Sequence, residues 1–372
     1  MHFEVLARDG EARVGRLTTA HGSHETPLFL PVGTYGAVKG VPVGLLHAAG
    51  VRALLANALH LALRPGAETL ARLGGLHAFM GWDGLILTDS GGYQVLSLAA
   101  LRRVSEEGVL FRSPVDGHEI LFTPERAVDV QHAAGSDILM VLDHVLAHPA
   151  PAERVHDAAE RSLRWARRCL EAHGDHPGAL FAIVQGGADP ELRRRQAQSL
   201  REAPFAGFAL GGLAVGESPE ERRAVLAACV PDLPLGRPRY LMGVGRPEDI
   251  VEGVRHGIDL FDCVIPTRHA RNAHLFTAEG VLRLRQARYA EDPRPLDERC
   301  GGPCCRHSRA YLRHLDRLGD PLFVTLASLH NIGYYTALME ALRTAIRTRA
   351  LDGFEPARTL ASYGIPCDNA QP

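Results

Sequence analysis

GIDLFDCVIP, residues 257 to 266, is the stretch on which the fold turns. It is a short apolar run between a glycine and a proline, and its last polar residue before the turn is a carboxylate, Asp262. Upstream, runs of the same kind recur in TPLFLPVG, RALLAN, GLILTD, SDILMVLD, ALFAIVQGG, FAGFALGG and RYLMGVG, so GIDLFDCVIP is the eighth. Between most of them lie segments with helical spacing, among them TPERAVDVQHAA, DAAERSLRWARRCLEAH, ELRRRQAQSLREA, SPEERRAVLAACV and RPEDIVEGVRHG, several opening on Ser, Thr or Pro start signals. Strands alternating with helices predict a parallel sheet covered by helices. Eight of them favour a closed (β/α)8 TIM barrel over an open doubly wound sheet.

Length and composition agree with one large α/β unit plus an appendage: 372 residues, 46% hydrophobic and 23% charged, suffice for a large core and exclude bulk disorder. The barrel with its active site is expected over 1–266, an arginine-rich segment and metal-binding subdomain over 267–335, a closing helix over 336–360 and a loose tail over 361–372. The start, MHFEVLARDGEARVG, lacks an apolar leader, and no run reaches the roughly 18 apolar residues of a spanning helix, so a soluble, cytoplasmic protein with no membrane partner is expected. A net charge of −2 excludes a generally basic surface, and any nucleic-acid site must be local. Lys39 is the only lysine, a bias toward arginine that a GC-rich genome accounts for.

In a barrel the C-terminal ends of the strands form the active site, which gives weight to what stands there. The third run ends in Thr88, Asp89, Ser90, Gly91 and Gly92, the fourth in Asp143, and the fifth in Gln185, Gly186 and Gly187. The sixth ends in Gly211 and Gly212, the seventh in Gly243 and the eighth in Asp262. Glycines let a flat ligand approach the backbone. Three aspartates at one mouth repel one another, so one is expected to hold its proton and act as acid or base while another stays ionised as a nucleophile. That division suits chemistry at an anomeric carbon. Any one aspartate alone reads more readily as a helix cap; three beside Gln185 and paired glycines do not.

Residues 265 to 317 hold 11 Arg against 6 Asp or Glu. Because this surplus adjoins Asp262, Arg268, Arg271, Arg283, Arg285 and Arg288 are expected to form a phosphate-binding strip rather than a solvated face. Of seven cysteines, Cys300, Cys304 and Cys305 fall within six residues, a clustering that points to metal rather than disulfides.

Taken together, NALHLALRPG, LTDSGGYQVLSL, VDGHEILFTPERAVDVQHAAGSDILMVLD, VQGG, GGLAVGE, the long block from Pro238 to Thr277, and SRAYLRHLDR resemble the bacterial tRNA-guanine transglycosylase (queuine tRNA-ribosyltransferase) family, in the family's order over nearly the whole chain. The resemblance implies a TIM barrel with a zinc-binding subdomain, a pentosyltransferase that exchanges guanine at the tRNA wobble position for a 7-deazaguanine in queuosine biosynthesis. Carried over by position, Asp262 is the nucleophile that forms a covalent tRNA intermediate, and Asp89 is the general acid/base. Ser90, Asp143, Gln185, Gly212 and Leu213 read the base, Tyr93 and Met242 sandwich it, and Asn57 and Gln94 support the site. It further implies a homodimer and, as partners, the tRNAs for Asp, Asn, His and Tyr, whose anticodons read GUN.

Three departures stand out. The family's Cys-x-Cys-x2-Cys is here CGGPCC, so a zinc site of Cys300, Cys304, Cys305 and His330 requires a sharp turn at Gly301, Gly302 and Pro303, with His307 as the substitute ligand. After Asp143 come His144 and Val145, where bacterial members often have Glu and Cys; 7-aminomethyl-7-deazaguanine is the favoured base, with queuine the alternative. Ala58 stands where a hydroxyl residue is common, and nothing explains it. Two rival readings are a non-catalytic tRNA-binding subunit of the same fold, opposed by the presence of both Asp89 and Asp262, and a barrel hydrolase or glycosidase, which leaves the arginines unexplained.

Overall fold

The computed structural model describes residues 1–97 and 103–356, and the expected loose tail over 361–372 lies outside them. All eight apolar runs form parallel strands: β1 (Leu28–Pro31), β2 (Ala53–Asn57), β3 (Leu85–Asp89), β4 (Ile138–Met140), β5 (Ala179–Val184), β6 (Gly207–Leu210), β7 (Arg239–Leu241) and β8 (Leu260–Cys263). They neighbour one another in chain order, and β8 pairs with β1 with Asp262 opposite Leu30. A parallel bridge between Val32 and Leu55, with the Gly33 N–H donating to the Leu55 carbonyl at 2.7 Å, closes the ring between β1 and β2. The expected TIM barrel is therefore present.

Every residue of β2, β3 and β5 is buried. Such strands face side chains inward and helices outward, which is why the runs read as continuous apolar stretches without alternation. The helices begin where their start signals stand. Thr123 Oγ1 accepts from the Arg126 N–H ahead of Pro124–Ala134, Asp189 caps Pro190–Leu200, and Ser218 with Glu221 forms a capping box on Pro219–Cys229. Each cap contributes about 1 kcal/mol. Ala152–His173 and Pro247–Arg255 complete the outer layer described by the sequence pattern.

Two small sheets lie outside that pattern. His2–Asp9, Ala12–Thr19 and Gly22–Thr26 make an antiparallel meander before β1, and Arg103–Val104, Val109–Arg112 and Glu119–Phe122 make another between β3 and β4. The first is fastened to the barrel by a buried ion pair. Arg13 Nε donates to Asp259 Oδ1 at 2.9 Å, its Nη2 to Oδ2 at 2.5 Å, and its remaining donors to the Leu235 and Arg237 carbonyls. Removing either partner would strand a buried charge, at a cost of about 3–5 kcal/mol.

After β8 the chain forms a helix, Ile265–Arg271, a hairpin of His274–Thr277 and Gly280–Arg283, and two further helices, Arg309–Leu318 and Pro321–Thr348. The last begins earlier than the run YYTALMEALRTAIRTRAL indicates. Its first half is buried on nearly all sides, so it lacks the polar stripe that marks an amphipathic helix. No helix among the described residues is long and apolar enough to cross a membrane.

Candidate active site and metal centre

Asp89 ends β3, Asp262 is the penultimate residue of β8 and Asp143 lies three residues past the end of β4, and all three side chains are buried at the barrel's C-terminal mouth. Asp262 Oδ1 accepts from the Tyr240 hydroxyl at 2.6 Å and from the Gly243 N–H at 2.8 Å. Burial pushes its pKa up, and these two donors oppose the shift. Asp89 Oδ2 accepts from Asn57 Nδ2 at 3.0 Å. Burial first, then the charges of Asp143 and Asp262, raise its pKa to about 7, against the pull of Gln94 and the Gly91 N–H. Asp143 Oδ2 accepts from Gln185 Nε2 at 2.5 Å, and burial raises its pKa to about 6. The carboxylates thus differ in environment, with Asp89 poised to gain or lose a proton near neutrality.

Glycine is required around Asp143. A Cβ on Gly92 would lie 2.2 Å from Asp143 Oδ1, and one on Gly211 would lie 2.6 Å from the Ile183 side chain and 2.9 Å from Gln185 Nε2. At Gly212, φ is +63° and a Cβ would meet Gln185 Oε1 at 2.6 Å. These positions leave a floor of backbone packed close beside the buried Asp143 and Gln185 pair. Ser90 Oγ is buried with no hydrogen-bond partner among the described residues, Leu213 is buried, Met242 is half-buried, and Tyr93 is about half exposed at the rim. A cavity of about 530 Å³ adjoins, lined by His144, His148, Gln185, Gly187, Gly212 and Val215.

Sequence reasoning missed three supporting residues. Tyr240, inside β7, is buried against Asp262, and burial beside that carboxylate holds its phenol protonated, a fixed donor. Arg193 is fully buried and forms no ion pair among the described residues; its guanidinium donates to the Gly187 carbonyl at 2.8 Å, the Val184 carbonyl at 2.8 Å and the Gly212 carbonyl at 3.5 Å, bracing the loops behind Gln185. It sits in the arginine run LRRRQ, where no pattern separates it from its exposed neighbours. Glu217 accepts from the Ala214 and Val215 N–H groups and from Arg222, which holds the turn after β6.

The arginines divide. Arg268, Arg283 and Arg288 are exposed and form no ion pair among the described residues, and Arg288 lies over the Tyr289 ring at 4.8 Å. Arg271 is half-buried. Arg285 makes a two-pronged bridge to Asp316 at 2.8 and 2.9 Å, so its guanidinium already has an anionic partner.

Cys300, Cys304, Cys305 and His330 converge. The chain turns at Gly302, whose carbonyl accepts from the Cys305 N–H at 3.0 Å, and enters a 3-10 turn over Pro303–Arg306 that aims the adjacent cysteines at one point. The Cys304 sulfur lies 3.8 Å from that of Cys300, 3.7 Å from that of Cys305 and 3.5 Å from His330 Nδ1. A tetrahedral zinc with bonds of about 2.3 Å to sulfur and about 2.0 Å to nitrogen sets its ligands roughly 3.5–3.8 Å apart, so the group fits such a site. His330 Nε2 donates to the Phe276 carbonyl at 2.7 Å, which leaves Nδ1 bare toward the sulfurs. His307 is outside the group and packs beside Tyr311.

Buried carboxylates of unequal proton affinity at the mouth of a (β/α)8 barrel, with a Cys3His group in the segment after the barrel's last strand, define a glycosyl-transfer type of centre on a barrel scaffold. Residues 9–362 match the family model described as queuine tRNA-ribosyltransferase. The chain is 54% identical over 355 residues to the queuine tRNA-ribosyltransferase of Thioalkalivibrio sulfidiphilus (strain HL-EbGR7), covering 95% of this chain and 96% of that one. It is 51% identical over 359 residues to that of Dichelobacter nodosus (strain VCS1703A), covering 96% and 97%, and 52% identical over 368 residues to that of Nitrosomonas europaea, covering 99% of both. The chain belongs to the queuine tRNA-ribosyltransferase family.

Proposed function

We propose that the protein is a tRNA-guanine transglycosylase, exchanging guanine at the wobble position of GUN-anticodon tRNAs, those for Asp, Asn, His and Tyr, for a 7-deazaguanine. The observation that carries this reading is the pairing of Asp262, held by two donors, with Asp89, whose pKa near 7 lets it work in both directions. Asp262 attacks the ribose C1′ and the bond from C1′ to the guanine nitrogen breaks. Protonated Asp89 returns a proton to the leaving guanine. The resulting carboxylate then takes the proton from the same nitrogen of the incoming base, which attacks C1′ and releases Asp262. Two displacements restore the original configuration. The nucleotide must leave its stack to be reached, so Arg268, Arg283 and Arg288 hold the backbone on either side, with Arg271 and Arg285 at the edge of the same strip.

Asp143, Gln185, Ser90 and the Gly212 and Leu213 backbone read the base edge, Tyr93 and Met242 cover its faces, and Asn57 and Gln94 hold Asp89. The favoured base is 7-aminomethyl-7-deazaguanine. Val145 is what supports queuine as the second reading, and Val215, which keeps the bacterial form, supports the aminomethyl base. Cys300, Cys304, Cys305 and His330 hold one structural zinc, which fastens the appended segment and takes no part in the chemistry. The protein acts in the cytoplasm as a homodimer, one subunit exchanging the base while the other helps hold the tRNA.

The test is incorporation of labelled guanine, 7-aminomethyl-7-deazaguanine or queuine into a tRNA-Tyr transcript by wild type and Asp262→Ala, with a denaturing gel for the protein–RNA adduct. Incorporation and adduct in wild type, both lost in the variant, are expected, with the aminomethyl base outrunning queuine. Tight tRNA binding with no exchange by wild type would replace this reading with that of a non-catalytic subunit.

A further inference from the structure

At the opposite end of the barrel, away from the aspartates, three imidazoles meet. His132 lies in the last turn of the helix Pro124–Ala134, His173 ends the helix Ala152–His173, and His176 lies in the link that enters β5. One ring nitrogen from each falls within 4.8 Å of the others. His132 Nε2 and His173 Nδ1 are 3.1 Å apart, and the His132 and His176 rings stack with centroids 3.8 Å apart.

Gly178 orients two of the rings. His173 Nε2 lies 3.1 Å from the Gly178 carbonyl, which can only accept, so that nitrogen carries the proton and Nδ1 turns a lone pair toward the cluster. The Gly178 N–H donates to His176 Nδ1 at 3.1 Å. A backbone carbonyl holding the far nitrogen is how metal-binding imidazoles are commonly positioned. No carboxylate, lysine or arginine among the described residues acts on the three rings. Their pKa values are lowered by burial first, and at His132, taken down to about 4, by the other two histidines. Ion pairing therefore does not explain the cluster, and its rings are neutral at pH 7, the form that binds metal. Two helices end here, and the negative ends of their dipoles favour a cation.

We propose that His132, His173 and His176 form a second metal site, for a divalent transition ion that prefers imidazole, with water completing the coordination. His132 and His176 are half-buried, so an ion reaches them from solvent. Coordination by all three requires the stacked pair to splay. His176 is the ring that turns, because it sits in a link between Gly174 and Gly178 rather than in a helix. The ion would tie two outer helices to the entry of β5.

Tag-free protein with its thiol-bound metal in place is dialysed against nickel chloride, and bound nickel is counted by plasma mass spectrometry for wild type and the His132→Asn, His176→Asn double variant. Wild type is expected to hold one nickel per chain beyond the thiol-bound metal, and the variant to bind it at least tenfold more weakly. Nickel should raise the melting temperature of wild type and leave that of the variant, otherwise folded like wild type, where it was. Absence of nickel uptake by wild type would overturn the proposal. So would uptake retained by the variant, which would place the ion on other histidines.

Discussion

Asp89 and Asp262 are chemically identical side chains that their neighbours make unlike. Asp262 has a phenol and an amide directed at one oxygen, whereas Asp89, although Asn57, Gln94 and the Gly91 N–H bond to it, has two other carboxylates acting on it. The second arrangement lowers stability. A carboxyl with a folded pKa of about 7, above its unfolded value near 3.8, favours the folded state fully only below pH about 4, and that contribution is lost as pH rises through 7. Asp89→Asn should therefore be more stable than wild type at pH 8, by on the order of 2 kcal/mol, or a few degrees in melting temperature, and the gain should vanish near pH 4. The same variant should lose at least about 100-fold in exchange rate. Thermal melts of both proteins across pH check the first statement; a gain over wild type no larger at pH 8 than at pH 4 would show that Asp89 is not held in its protonated form. The three aspartates were legible in the sequence because strand ends are where a barrel places chemistry. Arg193 and Tyr240 were not, because their role depends on which face of an element they occupy, and that is set by packing rather than by residue type.

Elements were legible wherever local rules and tertiary packing agree. Thr123, Asp189 and Ser218 cap helices that begin at the next residue, and the buried strands match the apolar runs. The helix Pro321–Thr348 was half legible: its apolar first half carries no periodic signal, and that half holds His330. The meander over His2–Thr26 was missed because its strands mix charged and apolar residues without a clean alternation in the sequence. His330 also links the cysteine turn to the hairpin through the Phe276 carbonyl, and Asn331 beside it bonds the Pro266 carbonyl at 2.9 Å and the Phe276 N–H at 3.0 Å. Cys304→Ser should release the metal and loosen these segments together. Expected are a fall in zinc content to well below one per chain and a stability loss of several kcal/mol, on the order of what a structural zinc supplies. Wild type stripped by chelator should melt with the variant; a variant that keeps its zinc would mean that His307 substitutes as a ligand.

For the whole molecule, a net charge of −2 coexists with a local arginine surplus, so attraction for an RNA backbone belongs to one face. Neutralising Arg268, Arg283 and Arg288 together as glutamines should weaken tRNA binding and flatten its dependence on salt, by roughly 0.7–0.9 in log–log slope for each phosphate that no longer meets a positive charge. Arg285→Gln should change that slope far less, because its charge is already matched by Asp316. Binding titrations between low and moderate salt distinguish the two; equal slopes for the triple variant and wild type would remove the arginine strip from the interface.

The seam between β8 and β1 joins Leu260 to Leu28 and sets Asp262 opposite Leu30, residues more than two hundred positions apart in the chain. Pairings of such separation form late, because the intervening loop must first be ordered. During synthesis, the N-terminal two thirds of the chain emerge before residue 262 exists, and Tyr240 and Gly243 can direct their donors at it only once β8 has paired with β7. A half-made chain is thus chemically mute toward RNA: the nucleophile acquires its setting with the last stitch of the barrel.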